Sequence, residues 1–261
     1  LAIGAKLNDG NGPDAGHVRI YNYNGSTWVQ LGNDIDGESS GDHSGVSVSL
    51  SSSGYTVAIG ATENDGNGSD AGHVRIYEYI NSSWIQLGQD IDGESSQDES
   101  GKSVSLSSNG NIVAIGAWWN DSPGDDAGHV RVYQYDGSYW NQLGQDIDGE
   151  NIFDRSGFSI SLSSNGHILA IGAIENDDNG SDAGHVRIYE YINSSWSQVG
   201  WDIDGEASGD KSGYSVSLNN NGNTVAIGAL YNDGNGSNAG HVRIYNFTTP
   251  GCTDSLAVNY N

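Results

Sequence analysis

The sequence predicts an all-β fold, and three observations support this prediction. The chain of 261 residues contains 39 glycines, 3 prolines and no methionine, a composition typical of short strands and tight turns rather than of helices. The amino-acid sequence repeats with a period of 56 residues, without an insertion. Each complete repeat contains four strand-like segments, and four-stranded sheets repeated at a period of this size are the signature of a β-propeller.

Two motifs define the repeat. The motif AIGA begins at Ala2, Ala58, Ala114, Ala170 and Ala226. The motif GHV begins at Gly16, Gly72, Gly128, Gly184 and Gly240. Because every spacing is 56 residues, we expect five blades, each wholly or partly present. A linear β-solenoid is the competing architecture, but its coils are usually shorter than this period.

The second repeat shows the four expected strands, which we label A to D. Strand A, SVSLS at 47–51, alternates polar and apolar residues, as a strand with one apolar face does. Strand B, VAIGA at 57–61, is apolar throughout, which is typical of a strand buried on both faces. Strand C is HVRIYEY at 73–79 and strand D is WIQLG at 84–88, and Asn-Gly, Asp-Gly and Ser-Gly turns separate these segments.

The strand counts differ between the ends of the chain and its middle. Strands B and C occur five times, whereas strands A and D occur four times, because the first repeat lacks strand A and the fifth lacks strand D. We therefore expect residues 1–249 to be part of a larger propeller. Residues 250–261 are expected to begin a truncated C-terminal module, in which Cys252 has no second cysteine with which to pair.

The segment SGFSISLSSNGHILAIGA at 156–173, followed by GHVRIYEY, resembles the FG-GAP repeats of integrin α-subunit propellers. The tail GCTDSLAVNYN resembles the start of a GCTD-type C-terminal module. The resemblance implies an extracellular propeller for adhesion or recognition. The sequence departs from the family in lacking the Phe before Gly and the Pro after Gly-Ala. Two of its A-to-B turns read SSNGN and SSNGH, and none of the four is an Asp-rich loop, so the calcium sites of the family are not transferred to this chain.

The charge of the chain limits its partners. Lys and Arg number 9 against 34 Asp and Glu, which gives a net charge of −25. This charge repels phosphate backbones and anionic lipid surfaces, so nucleic acid is an unfavourable partner. Since no apolar run approaches the roughly 18 residues that span a bilayer, we expect no membrane insertion.

The acidic residues are predicted to share one face. Antiparallel strands place the B-to-C and D-to-A loops at the same end of each blade, and these loops hold 13 and 17 acids, or 30 of the 34. Oxygen-rich loops of this kind suit Ca²⁺. The expected calcium ligands are Asp65, Asp70, Asp90, Asp92, Glu94 and Asp98, with their equivalents in the other repeats. The alternative is that these residues only form turns, with mobile ions around the face.

Several repeated side chains favour a structural role, because a catalytic site needs one asymmetric set of residues. We expect each Arg of strand C, such as Arg75, to hold an acid of a neighbouring loop in a bidentate pair. Each His of that strand, such as His73, is expected to donate to a turn carbonyl. The repeated Trp residues, such as Trp84, are expected to pack between blades, with a sugar platform as the alternative.

The positions that break the repeat are the candidates for function. They cluster around the third and fourth blades, where exposed aromatic side chains predict a contact surface. The predicted binding patch consists of Trp118, Trp119, Ile152, Phe153, Arg155 and Trp201. The alternatives are a local hydrophobic plug and a packing contact with a further domain.

We therefore expect an extracellular, non-catalytic module that recognises a protein or carbohydrate at the cell surface. A structural subunit that self-associates in a filament or sheath is the alternative, and a glycoside-active enzyme is a weaker one. The chain shows no zinc-type His spacing and no phosphate loop. Eight sequons would carry glycans in a eukaryotic source, at Asn24, Asn67, Asn81, Asn120, Asn179, Asn193, Asn235 and Asn246.

Overall fold

The computed structural model describes residues 1–247, which form 22 strands and no helix. The proposed C-terminal module at 250–261, including Cys252, lies outside the described residues. Within residues 1–247 there is accordingly no helix of the length and apolarity that crossing a membrane requires. The all-β prediction is confirmed.

The strands fall into five sheets, one for each repeat. Blade 1 contains β1 (Ala2–Ala5), β2 (His17–Tyr23), β3 (Trp28–Gln30) and β4 (Ile35–Asp36). Blade 2 contains β5 (Ser47–Leu50), β6 (Thr56–Ala61), β7 (His73–Ile80), β8 (Ser83–Gln86) and β9 (Ile91–Asp92). Blade 3 contains β10 (Ser103–Leu106), β11 (Ile112–Ala117), β12 (His129–Tyr135), β13 (Trp140–Gln142) and β14 (Ile147–Asp148). Blade 4 contains β15 (Ser156–Leu162), β16 (Ile168–Ala173), β17 (His185–Ile192), β18 (Ser195–Gln198) and β19 (Ile203–Asp204). Blade 5 contains β20 (Ser212–Leu218), β21 (Thr224–Ala229) and β22 (His241–Asn246).

The antiparallel order A-B-C-D holds in every complete blade, as in β5-β6-β7-β8. The A strands of neighbouring blades contact one another, so they form the inner edge of the array, and the D strands lie at the outer edge. These sheets are the predicted propeller blades. The structure adds a fifth strand that the prediction missed: Ile91–Asp92 pairs with the start of strand C, opposite His73 and Val74.

The hydrophobic core is divided into layers between successive blades. One layer joins Val74 and Ile76 of blade 2 to Val113 and Ile115 of blade 3, and Trp140 closes its outer end. The indole Nε1 of Trp140 donates to the Leu87 carbonyl of blade 2 at 2.8 Å. The predicted packing between blades is therefore confirmed for Trp84, Trp140 and Trp196, whereas the equivalent Trp28 of blade 1 is exposed. Each layer ties together residues that are about one repeat apart.

The glycine of AIGA is required by the close approach of two blades. A Cβ at Gly116 would clash with the main-chain oxygen of Gly157 at the start of the next blade. Ser103 Oγ donates to that same oxygen at 2.7 Å. Because the backbones meet at this point, only a residue without a side chain fits.

The two end blades each present a face that is buried elsewhere. Val242 and Ile244 of blade 5 are each 67% exposed, whereas the equivalent Val74 and Ile76 of blade 2 are 0% exposed. On blade 1, Ile3 is exposed as well, although its equivalents in the other blades are buried. The end blades therefore expose the apolar surfaces that the inner blades use for packing.

The B-to-C and D-to-A loops share one end of the blades, as predicted. The Gly41 amide donates to the Pro13 carbonyl at 2.9 Å, and the His43 amide donates to the Asp14 carbonyl at 3.2 Å. The same kind of contact recurs in the following blades. We call this end of the array, which carries the acidic loops, the loop face.

Candidate functional site

The repeated arginines connect successive blades below the loop face. Arg131 Nη2 donates to the main-chain oxygen of Asp92 at 2.7 Å, and its Nη1 lies 3.4 Å from Glu94 Oε1. The expectation of a bidentate acid pair is therefore wrong for this Arg, because one arm of the guanidinium binds backbone. Arg19 of blade 1 does form that pair, with Nε and Nη2 both donating to Asp34.

The repeated histidines of blades 3 and 4 do not donate to turn carbonyls. Neither ring nitrogen of His129 or His185 has a hydrogen-bond partner among residues 1–247, so that expectation is wrong there. Burial and, to a smaller extent, the charge of Arg131 lower the pKa of His129 to about 4. The ring is therefore neutral at pH 7, and its Nδ1 lies 3.9 Å from Glu94 Oε2.

The predicted calcium ligands do not converge on one site. Asp65 Oδ1 accepts from the Asp70 amide at 2.9 Å, and Asp98 Oδ2 accepts from two amides of its own loop. Burial raises the pKa of the Asp92 carboxyl, and the charge of Asp90 raises it too. The carboxylates of Asp65 and Asp98 thus cap turns, and Asp65, Asp70 and Asp98 belong to none of the ligand groups found within residues 1–247.

The structure instead builds groups that combine a His of strand C with carboxylates. Asp90 and Glu94 take part, but in two different groups. The four groups are His17 with Asp34 and Asp36; Glu38 with His73 and Asp90; Glu94 with His129 and Asp146; and Glu150 with Asp178, His185 and Asp202. Calcium binding stays a prediction, while the imidazole that each group contains was not expected as a ligand.

Aromatic and cationic side chains gather where the A strands of blades 3 to 5 begin. Trp118 and Trp119 lie 5.2 Å apart between ring centroids, and Phe158 lies 5.4 Å from Trp118. Lys102 Nζ lies 4.3 Å from the Trp118 centroid, and Arg155 Cζ lies 5.1 Å from it. The axial cluster, as we name this group, comprises Lys102, Trp118, Trp119, Arg155, Phe158 and Tyr214.

Carboxylates balance the cations of the axial cluster. Glu99 Oε2 accepts from the indole Nε1 of Trp118 at 2.8 Å. Glu175 Oε1 accepts from Arg155 at 3.1 Å and from Lys211 at 2.8 Å. Burial lowers the pKa of Lys102, and burial raises the pKa of the Glu99 carboxyl. The inner part of the loop face is therefore close to neutral, whereas the loops around it are acidic.

The cations that do not repeat all belong to this region. Five of the nine Lys and Arg residues are the arginines of strand C. The other four are Lys6, Lys102, Arg155 and Lys211. Lys6 and Arg155 both lie close enough for their charges to lower the pKa of Lys102. Positive charge that breaks the repeat is thus concentrated at the inner edge of the loop face.

The structure brings together half of the predicted binding patch. Trp118, Trp119 and Arg155 lie in the axial cluster. Ile152 packs against Gly124 on the neighbouring loop. Trp201 is 84% exposed and follows β18 at the outer edge of blade 4, away from the inner edge where the axial cluster lies.

Lys102, Phe158 and Tyr214 of the axial cluster were not predicted from the sequence. Phe153 of the predicted patch is 49% exposed, and its amide donates to the Asp125 carbonyl. The three missed residues share one position of the repeat, just before or within strand A, where blade 2 has Val46. Comparing that position across repeats would have found them, because its residue type changes in every blade.

The comparison with known families agrees with the repeat structure. The sequence model of the FG-GAP repeat matches residues 203–245, which extend from β19 to β22. The resemblance inferred from the sequence of blade 4 is thereby confirmed at residues 203–245. No protein with a curated description matches the chain.

Solved structures similar to this chain include two proteins of distant sequence. A proposed 6-phosphogluconolactonase from Bacteroides uniformis aligns with a TM-score of 0.55 and 14% identity, over 88% of this chain and 63% of its own. The complex of KlAtg21 with the coiled-coil of AgAtg16 aligns with a TM-score of 0.57 and 12% identity, over 90% of this chain and 62% of that one. These likenesses show the fold alone, and the chain spans less than two thirds of either structure.

The sequons of the repeats lie in different environments. Asn120 is 4% exposed, and its side-chain amide donates to Asp98 at 3.1 Å, which leaves no room for a glycan. The amide nitrogens of Asn67 and Asn179 donate to the Gly93 and Gly205 carbonyls. Glycan attachment at those two sites would disturb the contact between the B-to-C and D-to-A loops.

Proposed function

We propose that this FG-GAP-like propeller is an extracellular, non-catalytic recognition module that binds a carbohydrate at its axial cluster. The observation that supports the proposal most is the convergence of unrepeated aromatic and cationic residues on one place of a nearly uniform molecule. A single ligand site requires residues that differ between the blades, whereas the residues that recur already pack the blades together. We infer that the module is non-catalytic because the candidate acids recur in nearly every blade and so form no single reactive set.

Two buried donors of the axial cluster support binding of an oxygen-rich ligand. Trp119 Nε1 and Arg155 Nε are both buried without a hydrogen-bond acceptor among residues 1–247. The guanidinium carbon of Arg155 lies 5.8 Å from the centroid of the Trp119 ring, so the two donors serve the same place. Buried N–H groups are stable only with an acceptor, and sugar hydroxyls provide several of them next to apolar C–H surface.

The charge distribution favours a neutral ligand. Acidic loops surround the axial cluster and repel a polyanion as it approaches. At the centre, Glu99 and Glu175 offset Lys102, Arg155 and Lys211. A neutral saccharide avoids the repulsion of the rim and loses little on entering a centre whose charges are paired.

Replacing Trp119 with alanine tests this proposal. We expect the wild-type chain to bind saccharides on a glycan array and Trp119→Ala to bind at least about tenfold more weakly, a loss of about 1.4 kcal/mol. Tyr139→Ala is the matched control, because Tyr139 is a 63% exposed aromatic in a C-to-D turn, outside the axial cluster. Equal binding by Trp119→Ala, with an unchanged melting temperature, would contradict the proposal. Binding to a protein but to no saccharide would reassign the ligand.

A second candidate function is assembly of copies from end to end, and the exposed end faces favour it. Val242 and Ile244 of one copy would pack against Ile3 of the next copy, as the equivalent residues do between blades. Such a head-to-tail contact extends into a filament unless it closes into a ring. Sedimentation velocity is expected to show larger species as concentration rises, and Val242→Asp is expected to remove them. Ile85→Asp, at an exposed position of the outer strand β8, should leave them unchanged; a monomer at every concentration would exclude this assembly.

We also propose that Ca²⁺ binds the acidic loops, since their carboxylates and carbonyl oxygens are the donors that this ion prefers. Calorimetric titration of the chelator-treated chain with Ca²⁺ tests this part of the proposal, and absence of a binding signal would contradict it.

A further inference from the structure

The B-to-C loop of blade 4 contains a carboxylate that breaks the repeat. Asp178 occupies a position that is Gly10, Gly66 and Gly234 in three other blades and Ser122 in the third blade. Its carboxylate joins a group of possible metal ligands with Glu150, His185 and Asp202, whose ligand atoms all lie within 4.8 Å of one another. The other groups within residues 1–247 contain three members, so this blade alone has a four-ligand set.

His185 is buried and faces this group without a partner. Its side chain is 1% exposed, and neither of its ring nitrogens forms a hydrogen bond within the part of the chain that the structure describes. Its Nδ1 lies 3.8 Å from Glu150 Oε2, which is too far for a hydrogen bond. The separation is close to the spacing of about 3.4 Å between two ligand atoms of a tetrahedral zinc site. An ion between the two atoms would therefore require only a small movement of either.

The net charge of the group matches in magnitude that of one divalent cation. Glu150, Asp178 and Asp202 carry three negative charges when ionised, and Arg187 supplies one positive charge, with its Nη1 3.6 Å from Glu150 Oε1. Two negative charges remain uncompensated beside a buried ring. Arg187 also holds the oxygen of Glu150 that does not face His185, and Gln198 donates to Asp202 Oδ1 at 2.6 Å. Such outer contacts orient ligating carboxylates in metal sites.

We propose that Glu150, Asp178, His185 and Asp202 bind one divalent first-row transition-metal ion, for which Zn²⁺ is the probe. The imidazole nitrogen decides the class of metal, because Ca²⁺ and Mg²⁺ prefer oxygen ligands whereas zinc and its neighbours accept nitrogen and carboxylate together. The ion would tie the D-to-A loops before and after blade 4 to strand C of that blade. The site is separate from the axial cluster and does not depend on carbohydrate binding.

Calorimetric titration of the chelator-treated chain tests the site. We expect one Zn²⁺ to bind tightly per wild-type chain and Asp178→Gly to weaken that binding at least about tenfold. Asp178→Gly restores the residue of three other repeats, so the variant should fold. Asp182→Asn is the matched control: it removes one charge from the same loop and introduces the residue found at the equivalent Asn238, and it should change the dissociation constant less than twofold.

A spectroscopic readout identifies the nitrogen ligand. Co²⁺ in place of Zn²⁺ is expected to give visible absorption bands that are altered in His185→Asn. Unchanged zinc affinity in Asp178→Gly would overturn the proposal, as would zinc binding only at many equivalent weak sites. Tighter binding of Ca²⁺ than of Zn²⁺ at this site would overturn the choice of metal and support the calcium prediction. Saccharide binding by wild type and Trp119→Ala is measured independently, so failure of either proposal leaves the other testable.

Discussion

Replacing Trp140 with alanine is expected to lower the free energy of unfolding by about 3–5 kcal/mol. The side chain is 3% exposed and closes the core layer between blades 2 and 3. Its removal leaves a cavity and also leaves the Leu87 carbonyl without the indole donor at 2.8 Å. Gly88 cannot close this gap, because it has no side chain and lies directly under the indole. Urea denaturation followed by far-UV circular dichroism measures the loss.

The same substitution in blade 1 provides the control. Trp28 occupies the equivalent position but is 57% exposed, because no described blade covers it. Both tryptophans contact a Tyr of strand C at a similar distance, 5.3 Å for Trp28 with Tyr23 and 5.1 Å for Trp140 with Tyr135. Both substitutions remove this contact with Tyr, so it does not contribute to the difference between the two variants. We expect Trp28→Ala to lower the free energy of unfolding by less than about 1 kcal/mol. Equal costs for the two variants would show that the Trp contributes within its own blade and not between blades.

Replacing Gly116 with alanine is expected to destabilise the chain by about 1–3 kcal/mol or more, although it adds a single methyl group. The new Cβ would overlap the main-chain oxygen of Gly157 in the next blade. Backbone cannot rotate away as a side chain can, so blades 3 and 4 would have to separate slightly. That movement would also disturb the hydrogen bond from Ser103 Oγ to the same oxygen. Thermal and urea unfolding both report the change.

Gly228→Ala in blade 5 is the control for this prediction. At Gly228 the added Cβ meets only atoms of Ser215, chiefly its hydroxyl oxygen, and no backbone of a following blade. The Ser hydroxyl can move, so this variant should be much closer to wild type in stability. A similar loss in both variants would mean that the AIGA glycine is needed within the strand pair and not for the approach of two blades.

The period and the polar–apolar pattern were enough to predict the blades, because strands A to D recur with nearly the same sequence. The strand Ile91–Asp92 was missed for a physical reason: two residues are too few to show a periodicity, and their pairing with His73 and Val74 depends on tertiary structure. The sharing of one face by the B-to-C and D-to-A loops followed from strand alternation, which sequence does reveal.

The candidate sites were only partly predictable. Trp118, Trp119 and Arg155 were found because they break the pattern, and Lys102 was missed because its position, just before strand A, was not compared across the repeats. Sequence does not distinguish a His that donates a hydrogen bond to a carboxylate from one whose nitrogen lies 3.8 Å from it, as in His185. The partners of the repeated His residues could therefore not be predicted. Asp178 is visible as a departure from Gly, but only the fold places it beside His185.

The exposed end faces have a consequence for how the molecule opens. Each of the three inner blades is held on two sides, whereas blades 1 and 5 are each held on one side in the described residues. In arrays of this kind stability is roughly a sum over nearest-neighbour contacts, so nearly identical sequences acquire unequal resistance to local unfolding. Amide hydrogens of β21 should therefore exchange with solvent before those of β11, even though the two strands differ only at their first residue. Resistance to opening is here a property of where a repeat lies along the chain, more than of which residues it contains.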